Sequence, residues 1–171
     1  SAGAAGSINN TAYLTAAGSI LTVEARHAAA IQFIHGYQPA SQPSDTPLSA
    51  SNIVTIVSPF FTSCPSGSAP TIPGNPALNV TTAAPAIGKR LELVPSNSSV
   101  IEGKDTVYCG FASGLASAFS TYENGSCDIP SQNITAGQTY VLLTTGPSLL
   151  ADSILAGPAI LSLDTANLTV G

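Results

Sequence analysis

Between residues 11 and 36 apolar positions recur at alternating spacings of four and three. Tyr13, Ala17, Ile20, Ile31 and Ile34 fall on one stripe, and Glu24 and His27 fall inside it. That period is helical and predicts a helix over 11–36, capped at its start by Asn10 or Thr11 and ended by Gly36. At 1.5 Å per residue it would run to about 39 Å, the length of a bundle helix. Alanines at 16, 17, 25, 28, 29 and 30 would let neighbouring helices approach closely. The rest of the chain offers no second helix of that length, so the stripe needs partners from elsewhere. Residues 1–8 read as the tail of a preceding helix.

The pattern then changes twice. Residues 37–86 are rich in Pro, Ser and Gly and read as a linker strapped against its neighbours, with one short helix at 49–58 stopped by Pro59. From 87 to 171 the alternation has period two between turn signals. Strands are expected at 89–94, 105–112, 115–123, 138–145 and 159–164. The expected fold class is therefore α+β: a long N-terminal bundle-type helix and a short helix, followed by a small antiparallel immunoglobulin-like β-sandwich.

Composition narrows what such a chain does. Charged residues make up 8% of it and hydrophobic residues 44%, with a formal net charge of −5. Four basic residues build no cationic face for phosphates, which argues against nucleic-acid binding. The 11–36 segment is interrupted by Glu24, Arg26 and His27, and 143–163 by Gly, Pro and Asp, so neither reads as a membrane span. Six Asn-x-Ser/Thr triplets, at Asn9, Asn79, Asn97, Asn124, Asn133 and Asn167, predict N-linked glycans and an extracellular or cell-wall location. The start "SAGAAGSINN" has neither the basic end nor the apolar core of a signal peptide, so a secreted chain is expected to have been processed. Cys109 and Cys127 flank what reads as one hairpin and are the expected disulfide. Cys64 is left over: free, paired with another chain, or paired with a segment outside this sequence.

Candidate chemistry centres on "VEARHAAA". Glu24 and His27 sit one turn apart on one helix face, the spacing by which helical bundles hold paired iron or manganese ions. Such a centre takes a Glu from each of two helices and a Glu-x-x-His from each of two more, and this chain supplies one of those four pieces. The competing reading pairs Glu24 with Arg26 or a neighbouring chain and gives His27 a hydrogen-bonded core position. His35 is placed to close the helix C-terminus, where a cation is favoured. Ser66, and Ser153 beside Asp152, have no base near them in sequence; no Gly-x-Ser-x-Gly elbow or phosphate-binding glycine loop occurs. No catalytic residue is assigned.

The order of the parts resembles a known family. "AYLTAAGSILTVEARHAAAI", "TPLSASNIVTIVSPFFTSCP", "IPGNPALNV" and "YVLLTTGPSLLADSILAGPAIL" are similar to the C-terminal half of secreted ferritin-like proteins. These are the fungal stress-response and late-sexual-development proteins, with plant desiccation-related proteins as more distant relatives. The resemblance implies that residues 1–36 hold the terminal helix of a ferritin-like bundle and that Glu24 and His27 match its final Glu-x-x-His. A secreted, glycosylated structural or interaction protein is the expected function, with no cofactor for this chain alone. Its partners would be further copies or an N-terminal segment of the same polypeptide. Two alternatives stay open: an iron- or manganese-binding oxidase or storage protein in a completed bundle, and a glycan-binding module using the sandwich loops.

Overall fold

A computed structural model describes residues 2–36, 42–68 and 71–163. Two α-helices and two antiparallel sheets make up the fold. Helix α1 spans Thr11–Ile34, where Asn10 caps the start: its Oδ1 accepts from the backbone N–H of Ala12 and of Tyr13. His35 is the C-cap, donating its backbone N–H to Ile31, and Gly36 follows with φ of +77°, the left-handed turn that stops a helix. Residues Ala2–Ser7 form a 3-10 helix rather than the end of an α-helix. Helix α2 spans Ala50–Val57, capped by Ser49, and Pro59 falls in the 3-10 turn that follows.

The strands are β1 (Leu78–Val80), β2 (Arg90–Pro95), β3 (Tyr108–Ser113), β4 (Ala116–Thr121), β5 (Ser126–Asp128), β6 (Gly137–Thr144) and β7 (Ile154–Leu163). They form a three-stranded sheet in the order β1-β2-β5 and a four-stranded sheet in the order β4-β3-β6-β7. Three differences from the sequence pattern have physical causes. β1 lies inside the segment read as linker, because three residues are too few to display an alternation. β5 was not expected for the same reason. β7 begins at Ile154 rather than 159, its first half hidden by Gly157 and Pro158; Asp164, the expected end, lies outside the described residues.

The core lies between the sheets. Leu91 and Leu93 of β2 share it with Cys109 and Phe111 of β3, Val141 and Leu143 of β6, and Leu161 and Leu163 of β7. These are alternate positions along each strand, as a two-layer core demands. Cys109 and Cys127 form a disulfide with Cα atoms 6.4 Å apart. It ties β3 to β5, and therefore one sheet to the other, while the β3–β4 hairpin lies between the two cysteines. The Tyr122 hydroxyl donates to the Leu93 carbonyl (3.1 Å), and burial pushes its phenol above the ordinary tyrosine range.

Thr139 breaks the apolar rule near the start of β6. It is fully buried opposite Leu161, and its Oγ1 has no hydrogen-bond partner. A buried hydroxyl without a partner forfeits its hydration for nothing. Thr139→Val keeps the shape and removes the penalty. It is expected to raise stability by about 1 kcal/mol, read as a higher urea midpoint at unchanged slope.

Helix α2 is held against β7 by a polar lock. Asn75 donates from Nδ2 to Asn52 Oδ1 (3.0 Å) and to the Gly157 carbonyl (2.8 Å), and from its backbone to Thr55 Oγ1 (2.7 Å). Asn52 and Thr55 are the buried residues of α2. Gly157 has φ of +94°, and a Cβ there would stand 2.9 Å from the Val141 carbonyl, so only glycine lets β7 lie this close to β6. Three separate stretches of sequence thus meet at one point. Asn75→Ala leaves Asn52 Oδ1 and the Gly157 carbonyl short of a donor. The expected cost is about 2 kcal/mol, with faster amide exchange in α2 than in the sheets.

Candidate functional site

Helix α1 carries two faces with different fates. One is turned toward the chain's own body: Ala17, Leu21, Ala29 and Gln32 are its half-buried members, and Leu21, Ala25 and Ala28 line a groove of about 280 Å³. The opposite wall of that groove comes from the segment after α1 and from β6, including Asp45, Leu48 and Tyr140. Gln42 fixes the segment in place, donating from Nε2 to Ser113 Oγ and to the Gln138 carbonyl, both at 2.9 Å. Tyr140 is raised above the usual phenol range, first by burial and further by the Asp45 charge. The hydrogen bond from Gln138 Nε2 to its hydroxyl (2.5 Å) works the other way.

The other face is the apolar stripe, and apart from half-buried Ala17 at its edge it lies in solvent. Tyr13 is 70% exposed, Ile20 57%, Ile31 58% and Ile34 78%, and no residue of α1 is buried. Glu24 and His27 are exposed with them. Glu24 also reaches the rim of the groove, whereas His27 does not line it. The alternative placements of these two residues are corrected here: Glu24 is not buried or paired with Arg26, and His27 is not a core histidine. Among the described residues the ion pair present is Arg90–Asp128, an exposed contact at 3.9 Å that contributes little.

Among the described residues of one copy, the four pieces of a helical-bundle metal centre are not brought together. Glu24 and His27 bring two donor side chains, and among the described residues no group of three or more His, Cys, Asp or Glu is placed to hold an ion. Of the other described acids, Asp45 faces α1 across the groove, whereas Glu92, Glu102, Asp105, Glu123, Asp128 and Asp152 sit on strands or loops of the two-sheet domain.

The remaining sequence-predicted sites are scattered over the surface. Asn9, Asn79, Asn97, Asn124 and Asn133 are exposed, and Asn167 lies outside the described residues. Asn124 and Gly125 occupy the two central positions of the turn joining β4 to β5, both at positive φ. Cys64 is exposed and unpaired. His35 stands at the helix end, and Ser66 and Ser153 lie in a turn and a short 3-10 segment. The groove wall made by Asp45 and Tyr140 was not anticipated. Leu21, off the stripe but level with the alanines, was the one hint that α1 has a second contact face.

Fold and site together describe a disulfide-tied, two-sheet β domain carrying a long helix whose stripe of Tyr13, Ile20, Ile31 and Ile34 is left exposed by the described residues. Comparison with protein families adds the next step. Residues 1–36 match the model of a ferritin-like domain, a match that ends with α1 and supports a ferritin-like relationship for this part of the chain. A search of curated proteins finds no match. Among the described residues, no helix is long and apolar enough to cross a membrane.

Proposed function

We propose that this chain is the part of a secreted, N-glycosylated ferritin-like polypeptide that joins a terminal bundle helix to a β-sandwich. Its role is structural: it assembles through the solvent-facing stripe of α1. The observation that carries this reading is the exposure of Tyr13, Ile20, Ile31 and Ile34 on a single face of a helix within the ferritin-like match. Contiguous exposed apolar surface marks an interaction site. Burying each isoleucine is worth roughly 1.5–3 kcal/mol, enough in sum to drive helix pairing.

Secretion and glycosylation rest on the buried disulfide, a bond that persists in oxidising compartments, and on five exposed sequon asparagines. The strand orders β1-β2-β5 and β4-β3-β6-β7 support an immunoglobulin-like sandwich, with hairpins β1–β2, β3–β4 and β6–β7 linked by crossings between the sheets. Kinship with the fungal stress-response and late-sexual-development proteins is supported by the way "SASNIVTIV", "IPGNPALNV" and "AGPAIL" converge in the lock at Asn75.

Placing charge in the stripe tests the reading. Ile20→Asp with Ile31→Asp is expected to weaken self-association about 100-fold or more in sedimentation equilibrium, while the sandwich keeps its thermal midpoint. Association unaffected by the double substitution would refute it.

A further inference from the structure

N-linked transfer reads two side chains of a sequon: the asparagine that accepts the sugar and the hydroxyl residue two positions on. In four of the five described sequons both are exposed: Asn9 with Thr11, Asn79 with Thr81, Asn97 with Ser99, and Asn133 with Thr135. The fifth is split. Asn124 is exposed in the turn between β4 and β5, but Ser126 is only 5% exposed, and its Oγ donates to the Glu123 carbonyl at 3.0 Å. The backbone is locked as well. Glu123 and Ser126 exchange both backbone hydrogen bonds across the turn, the Gly125 carbonyl accepts from Leu93, and Ser126 pairs with Glu92 in the β2–β5 ladder. The next residue, Cys127, is tied to Cys109 on the opposite sheet. The folded chain therefore displays the acceptor amide while withholding the hydroxyl and the free backbone that a transferase must grip.

We propose that Asn124 is a folding-gated glycosylation site. It takes its glycan only before β5 pairs with β2 and the Cys109–Cys127 bond closes, and a chain that closes first keeps the site bare. This rests on the N-glycosylation reading above and adds to it which site is gated and by what. In the transfer, Asn124 Nδ2 bonds to the anomeric carbon of an oligosaccharide carried on a lipid pyrophosphate. The bond from that carbon to the pyrophosphate oxygen breaks, and the amide gives up one proton. Closure competes with this step: the cysteines are 18 residues apart and reach the oxidising compartment close together, and disulfide formation takes seconds to hours with the oxidant present. A glycan already in place does not obstruct folding, because Asn124 itself stays exposed in the finished turn. The product is two glycoforms that differ at the β4–β5 turn.

Asn97 is the matched control, since its sequon also ends in serine and that serine, Ser99, is exposed. The chain is expressed through the secretory pathway of a eukaryotic host. Occupancy at both asparagines is counted by mass spectrometry on total cellular and secreted protein, so that a variant retained in the cell is still scored. The parent is expected to carry less glycan at Asn124 than at Asn97. Cys109→Ala leaves every residue of the sequon in place and is expected to raise Asn124 occupancy about twofold or more, with Asn97 unchanged. A pulse of reductant during synthesis should do the same to the parent chain without any substitution.

Transfer to the folded chain gives a second reading. Bare, oxidised protein made in bacteria is offered to a purified oligosaccharyltransferase with its lipid-linked donor. Asn97 should accept the sugar, and Asn124 should accept it only after reduction and unfolding. If Asn124 is filled as completely as Asn97 in the parent, or is filled on the folded, oxidised chain, the gate is overturned and the glycosylation reading stands. If Asn124 stays bare in Cys109→Ala and under reductant while Asn97 is filled, the gate is again overturned, because folding is then not what excludes the sugar. An equal rise at both sites overturns it too. Absence of glycan at every sequon overturns the gate and the glycosylation reading together.

Discussion

Converting Cys109 and Cys127 together to alanine is expected to remove about 3 kcal/mol of stability, the chain-entropy value for a loop closed over 18 residues. The bond matters more than its loop length indicates, because it joins opposite sheets. β3 belongs to the four-stranded layer and β5 to the three-stranded one, and β5 is only three residues long. Without the cross-link, β5 is held by its pairing with β2 and by the buried side chain of Ile129 beyond its end. In a domain of this size the loss corresponds to a fall on the order of 15 °C in Tm. Scanning calorimetry of the double variant, or of the parent chain under reductant, reads it directly. A shift below about 3 °C would show that the layers are held together by packing alone.

Phe111→Ala should cost still more, about 3–5 kcal/mol. Phe111 is fully buried at the centre of β3, opposite Ala118 of β4 on one side and Val141 of β6 on the other. It is the largest of the fully buried side chains, and its neighbours cannot collapse into the space it leaves: Ala118 is small, and Val141 is fixed by the β6 ladders. Urea unfolding should show a lower midpoint at unchanged slope. Phe111→Leu, which keeps most of the volume, should lose roughly half as much.

The two largest effects fall in the sandwich, which the sequence outlined well in its long strands and poorly in its short ones. β3 and β6 announce themselves through "DTVYCGFA" and "QTYVLLTT", where alternation runs long enough to be seen. β1 and β5 are three residues each, and a period of two cannot be established in three residues. In β7 the Gly157-Pro158 pair imitates a loop, yet the strand passes through it: Gly157 is the residue that lets the β7 backbone approach β6, and its carbonyl takes the lock from Asn75.

For α1 the helical period, the Asn10 cap and the Gly36 stop were all legible. What the sequence did not reveal is that the helix has a second contact face one step around. A helical repeat of alanines and one leucine is a weak signal, and the partners of that face, Asp45 and Tyr140, come from distant parts of the chain. Glu24 and His27 were legible as a pair. Their meaning depends on what lies across from them: among the described residues Glu24 meets the rim of the groove, and His27 is exposed outside it.

The central claim is that the stripe of α1 is an assembly surface. Sedimentation velocity of the intact, natively purified chain over a hundredfold range of concentration tests it most directly, with far-ultraviolet circular dichroism confirming that α1 is helical. The account predicts a concentration-dependent shift from monomer to a larger assembly. A single monomeric species across the whole range, with the helical signal intact, would contradict it.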